Sequence, residues 1–135
     1  MTVTTRCEDC GGVLIRDIGQ FIDGGQLWWG TEGRCRTCPH AWCEQDTGAV
    51  TPEGIRQALL AEHGAARLRP AVPGASTVAV LRALRETHGL SLGQARALAD
   101  ELMTTGLTGT LVEMELMAAA LGRRSVAVTV ESAAD

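Results

Sequence analysis

The chain has 135 residues and a formal net charge of −4, and all twelve of its basic residues are arginine. That length fits one ordinary domain or two small ones. Neither half has the basic excess that phosphate contacts need: residues 1–50 hold four Arg against seven acids, and residues 51–135 hold eight against nine. No apolar stretch approaches the roughly 20 residues of a membrane span. No charged region followed by an apolar run marks a signal peptide. With an odd cysteine count and paired spacing, the expected setting is a reducing cytoplasm.

All five cysteines, all three tryptophans and the single phenylalanine lie in residues 1–50, whereas residues 51–135 have no aromatic side chain. The shift predicts two units. The first opens on Cys7-Glu8-Asp9-Cys10, followed by Gly11-Gly12 for a tight turn. Val13, Leu14, Ile15 and Ile18 read as a strand, Asp23-Gly24-Gly25 as a hairpin turn, and Gln26 to Trp29 as the returning strand. Gly30 to Gly33 lead into a second knuckle, Cys35-Arg36-Thr37-Cys38, and Ala41-Trp42-Cys43 reads as a third short strand. Two C-x-x-C pairs supply four thiolates to one small cation. Cys7, Cys10, Cys35 and Cys38 are therefore the candidate ligands of one structural zinc, closed by four sulfurs with no position left for water. Two disulfides or free buried thiols are the competing reading, disfavoured without a secretory signal. His40 and Cys43 follow closely enough to replace a ligand; otherwise they are a surface imidazole and a spare thiol. The pattern over about residues 5–45 resembles a zinc ribbon. Trp28 and Trp29 fall on opposite faces of a strand, so one is core, and Trp28 with Trp42 is a candidate exposed patch for a partner. The alternative is that the tryptophans pack over the knuckles.

Thr51-Pro52-Glu53 reads as a helix start, with Ile55, Leu59 and Leu60 as one apolar stripe and Gly64 as the stop. Residues 51–64 are thus a connector helix, expected to fold against the C-terminal unit. Arg67 to Val72 reads as an edge strand, because Pro70 cannot sit in a central one. Leu68, Val72 and Val128 are expected to leave an open sheet face partly apolar. From Ser76 to His88, Val78, Leu81, Leu84 and His88 fall at helical spacing. Ser91-Leu92-Gly93-Gln94 is a capping box for a second helix carrying Ala95, Leu98, Leu102 and Met103 on one face. Leu107 to Val112 alternates as a strand, Glu113 to Leu121 reads as a third helix, and Ser125 to Val130 as a strand. The order strand-helix-helix-strand-helix-strand describes a compact α+β unit with its helices on one side of a small sheet.

The run Val78-Ala79-Val80-Leu81-Arg82-Ala83-Leu84-Arg85, then Gly89-Leu90-Ser91-Leu92-Gly93-Gln94-Ala95-Arg96-Ala97-Leu98, resembles the C-terminal domain of the bacterial ribosomal stalk protein. The resemblance covers about residues 66–131. The reading is then an α+β chain of three parts: a zinc ribbon in 1–50, a connector helix in 51–64 and a stalk-like domain in 65–135. In that family the first two helices recruit translational GTPases. The resemblance implies a partner surface of Val78, Ala79, Arg82, Leu90, Ser91, Leu92 and Arg96, with Arg82 and Arg96 keeping the charge of family lysines. Thr77 and Gly93 stand where the family usually has Lys, and a ribbon replaces its dimerisation helices and hinge.

No phosphate-binding glycine loop and no nucleophile–base constellation is visible, so no catalytic residue is assigned and no enzyme is expected. The functional expectation is a zinc-containing protein–protein interaction module, an adaptor or regulator associated with a translation factor or the ribosome. The alternative is an immunity (antitoxin-type) protein that blocks a cognate toxin. Nucleic-acid binding ranks third, since Arg34 and Arg36 are its only basic cluster. No membrane and no small-molecule substrate is expected.

Overall fold

The computed structural model describes residues 1–48 and 50–133. It is mixed α+β, with four helices and two antiparallel sheets. Contacts divide the chain into two units, Met1–Glu62 and His63–Asp135.

In the first unit, β1 (Thr2–Arg6), β2 (Val13–Asp23), β3 (Gln26–Cys35) and β4 (Ala41–Thr47) form one antiparallel sheet in chain order. The β2–β3 hairpin turns on Gly24 and Gly25, both at positive φ (59° and 75°), which a two-residue turn of this hand requires. Partners in register share a face. Ile18, Trp29 and, from the helix α1 (Glu53–His63), Ile55 and Leu59 bury together on one side of the sheet, with Met1, Val3 and Ala58 packed beside them. The Gln20 Nε2–H donates to Thr51 Oγ1 at 2.8 Å, tying the start of the helix to β2.

The helix was expected on the C-terminal unit; it packs on the N-terminal sheet instead. The reason lies in β1 and in the length of β2 and β3, which make a sheet wide enough to need a cover. Trp29 points to the helix and not over the knuckles. Leu59→Ala should therefore lower the stability of this unit by about 2–3 kcal/mol. Denaturant unfolding followed by Trp fluorescence checks it; an unchanged midpoint contradicts the packing.

In the second unit β5 (Ala66–Pro70), α2 (Thr77–His88), α3 (Leu92–Thr104), β6 (Leu107–Gly109), α4 (Leu111–Arg123) and β7 (Val128–Ser132) follow one another in the expected order. The sheet order is β6-β5-β7, so β5 is central, not an edge. Pro70 is tolerated there because β6 pairs only with Ala66 to Leu68. Alternation along β5 aims the Pro70 nitrogen toward the β6 side, beyond the end of that strand, while the Ala71 N–H goes to Ala127 of the β7 side. Leu68, Val80, Leu84, Leu102 and Leu121 are the most deeply buried side chains of the core. Leu68 and Val128 face this core, which leaves Arg67, Arg69, Thr108, Thr129 and Glu131 on the other side of the sheet. That face is polar, with Arg69 paired to Glu131 at 3.1 Å, not partly apolar as expected.

The face of α2 differs in part from the expected one, and that of α3 agrees except at one residue. Val80, Ala83 and Leu84 are the buried residues of α2, with Leu81 packed against the core and Val78 60% exposed. In α3 the expected Ala95 and Leu102 are buried, together with Ala99, and the expected Leu98 packs against the core, while Met103 is exposed. Capping boxes open α3 (Ser91 with Gln94) and α4 (Thr110 with Glu113). The second box starts α4 at Leu111 and cuts short the strand expected to run to Val112. At the far end of α4, Ser125 takes a positive φ of 60° and the last strand begins at Val128, not Ser125.

Candidate metal centre

The two connections at one end of the first sheet, β1 to β2 and β3 to β4, carry the two knuckles. In the first, Gly11 at φ 74° lets the Gly11 N–H donate back to the Cys7 carbonyl, and the Cys7 N–H donates to the Gly12 carbonyl. In the second, the Cys35 N–H donates to the His40 carbonyl. The Arg36 N–H donates to the Val13 carbonyl at 2.9 Å, which sets the second knuckle against the start of β2.

The ligand sulfurs of Cys7, Cys10, Cys35 and Cys38 then lie within 4.8 Å of one another. The Cys7–Cys38 and Cys10–Cys35 separations are 3.7 Å and 3.4 Å. A tetrahedron with metal–sulfur bonds of about 2.3 Å has edges of about 3.8 Å, so the four cysteines are arranged for one metal ion. Backbone N–H groups already point at the sulfurs: Gly12 to Cys10 at 3.3 Å and Thr37 to Cys35 at 3.4 Å. The charge state of the metal-free cluster also fits a cation. The Thr37 hydroxyl, followed by the Thr37 backbone N–H, holds the Cys35 thiol down to about 5. Cys38 accepts from the His40 backbone N–H, which acts downward, but burial and the neighbouring Cys10, Cys35 and Cys7 sulfurs push it up to about 12. Sulfurs this close cannot all ionise without a positive charge among them.

The two extra residues lie outside the cluster. His40 Nδ1 is 3.1 Å from Asp9 Oδ2, so the imidazole spans from the second knuckle to the first without offering itself to the sulfurs. Cys43 is exposed on β4, in register with Glu32. Trp28 and Trp42 do not form one patch. Trp28 stacks on Phe21 at 6.2 Å between ring centroids. Trp42 lies on the other face, in register with Gly33, where a side chain would overlap its ring. The Arg16 guanidinium sits 5.8 Å from that ring, and His40 packs against it at 5.5 Å.

The second unit places the other site residues on α2, α3 and the turn between them. Val78 (60%) and Leu92 (49%) are exposed apolar side chains, Arg82 and Arg96 are exposed, and Ala79 and Leu90 are half-buried. The Ser91 hydroxyl is used as the cap of α3. Arg82 and Leu90 line a depression of about 510 Å³ with Arg85, Glu86, Gly89 and Arg124. Arg85 Nε–H donates to the Leu90 carbonyl at 3.2 Å, and Arg124 pairs with Glu86. Arg82 makes no ion pair among the described residues. Arg85 and Arg124 line the depression without having been singled out as surface residues in the sequence. Arg85 was within reach, one turn after Arg82 on the same helix, but Arg124 arrives from the end of α4, a tertiary placement with no local signal.

Among the described residues no helix is long and apolar enough to cross a membrane. Comparison with protein-family models, with curated proteins and with solved structures finds no match.

Proposed function

We propose that the chain is a non-enzymatic protein-interaction module whose first unit is held by one structural zinc. Four sulfurs complete a tetrahedron and leave the ion no open position, which suits a staple and not a catalyst. The observation that carries the interaction reading is the α2–α3 surface. There the exposed Val78 and Leu92 accompany the arginine-lined depression of Arg82, Arg85 and Arg124. Apolar anchors beside guanidinium groups suit a protein partner with an acidic, apolar face. The resemblance of residues 66–131 to the stalk C-terminal domain supports a translational GTPase or the ribosome as that partner.

The test is capture of purified ribosomes and translational GTPases by the full-length protein and by its Arg82→Glu, Arg96→Glu double variant. Reversing two charges should weaken binding by at least about tenfold while the helical circular dichroism is kept. Equal recovery by both proteins means the surface is wrong. Capture of a cognate toxin in place of translation components would move the reading to an immunity protein.

A further inference from the structure

The four sulfurs are not equivalent. Cys7 is buried to 1% exposure, while Cys10 is exposed and Cys35 half-buried. Cys10 and Cys35 share one hydroxyl: Thr37 Oγ1 lies 3.1 Å from Cys10 Sγ and 3.4 Å from Cys35 Sγ. A metal-bound thiolate carries no proton, so in the loaded site the hydroxyl must be the donor. Its single proton is placed between the exposed Cys10 sulfur and the half-buried Cys35 sulfur.

Gly12 points to the same arrangement independently. Its φ lies outside the left-handed region, so the backbone there suits any residue. Yet a Cβ at Gly12 would overlap Thr37 Oγ1 and stand 3.2 Å from Cys10 Sγ. The missing side chain is room for the hydroxyl.

We infer that Thr37 is a positioning residue of the metal centre: its hydroxyl holds the Cys10 and Cys35 thiolates on the ion and slows metal loss through the exposed side. A hydrogen bond donated to a ligating thiolate fixes its orientation and draws off part of its charge, so the protons that would free it from the ion find a poorer acceptor. Outer partners of this kind are worth about 10–100-fold in metal affinity. The inference rests on the zinc reading of the four cysteines and concerns a residue outside that ligand set.

The experiment follows zinc release from the full-length, zinc-loaded protein into excess chromophoric chelator, with metal content measured before mixing. Thr37→Val keeps the shape and removes the proton; release should speed up about tenfold. Thr37→Ser restores the hydroxyl and should stay within about twofold of the parent. Gly12→Ala should act like Thr37→Val, because it displaces the hydroxyl. In a Thr37→Ala background the overlap with the hydroxyl is gone and only the tight approaches to Cys10 Sγ and to Cβ of residue 37 remain, so Gly12→Ala should add much less than it does to the parent. Cobalt substitution gives a readout separate from rate: the sulfur-to-cobalt charge-transfer band should shift in Thr37→Val and not in Thr37→Ser. Release from Thr37→Val at the parent rate overturns the inference, as does equal acceleration in the Val and Ser variants. A parent protein that takes up no metal overturns it together with the zinc reading.

Discussion

Cys35→Ser is expected to abolish metal retention and to unfold the first unit while the second keeps its helices. The apolar cluster that α1 makes with the sheet is small: Ile18, Trp29, Ile55 and Leu59 with a few half-buried neighbours. A unit of this size needs a staple beyond its core. Among the described residues, Cys7, Cys10, Cys35 and Cys38 are the group arranged to tie its β1–β2 and β3–β4 connections together through one cation. Structural zinc binding carries about 10–16 kcal/mol of apparent free energy, and in such sites binding energy is folding energy. Losing one of four thiolates removes most of it. The second unit has its own core around Leu68, Leu84, Leu102 and Leu121. Elemental analysis of the parent, purified without added metal, should give close to one zinc per chain; Cys35→Ser should give less than about a tenth of that. Fluorescence from Trp29, now buried at 8% exposure, should shift to the red in the variant. A parent that keeps its fold with no metal would overturn the claim, and so would a Cys35→Ser protein with the parent's fluorescence.

The metal centre was legible because C-x-x-C spacing is a local property, and four such residues meet by closing two short turns. Local signals also placed the Gly24-Gly25 hairpin and the Ser91–Gln94 capping box. Features that depend on a distant neighbour were not legible. The run Thr2-Val3-Thr4-Thr5-Arg6 has almost no apolar alternation, and its β-branched residues become β1 by pairing along the edge of β2. The strand expected over Gln26 to Trp29 runs on through Gly30 to Gly33, because Gly30 pairs with Gly19 and Gly33 lies under the Trp42 ring. Pro70 sits in a central strand because β6 is too short to meet it. On α2 the periodicity was right and Leu81 and Leu84 do face the core, but Val78 and Val80 are equally apolar, and only the packing of α2 against α3 and α4 selects Val80. Thr37 carries no sequence signal at all, since a hydroxyl within a knuckle is ordinary until the second sulfur pair is brought beside it.

The second large effect is expected from Gly106→Ala, at the turn from α3 into β6. Two conditions act on this residue together. Its φ is 86°, in the left-handed region where a Cβ is strained. Its N–H closes the helix on the Glu101 carbonyl at 2.8 Å, which fixes the residue in place. A Cβ built there would stand 2.8 Å from the Leu68 carbonyl oxygen and 3.0 Å from Cγ of both Arg67 and Arg69. Arginine methylenes can move aside. The Leu68 carbonyl belongs to the central strand, whose side chain is fully buried, so it cannot yield without shifting β5. Backbone strain of about 1–2 kcal/mol and overpacking of about 1–3 kcal/mol therefore add at one site. In a small domain that lowers the melting temperature by more than about 10 °C. Gly89→Ala is the matched control. It also has positive φ, 59°, at the end of a helix of the same unit, but its Cβ meets nothing within 4 Å. It should cost only the backbone term, about 1 kcal/mol. Thermal unfolding followed by helical circular dichroism separates the two. Equal losses would show that left-handed strain alone requires Gly106; a loss at Gly106 at least twice that at Gly89 assigns the difference to the close approach of α3's end to the central strand.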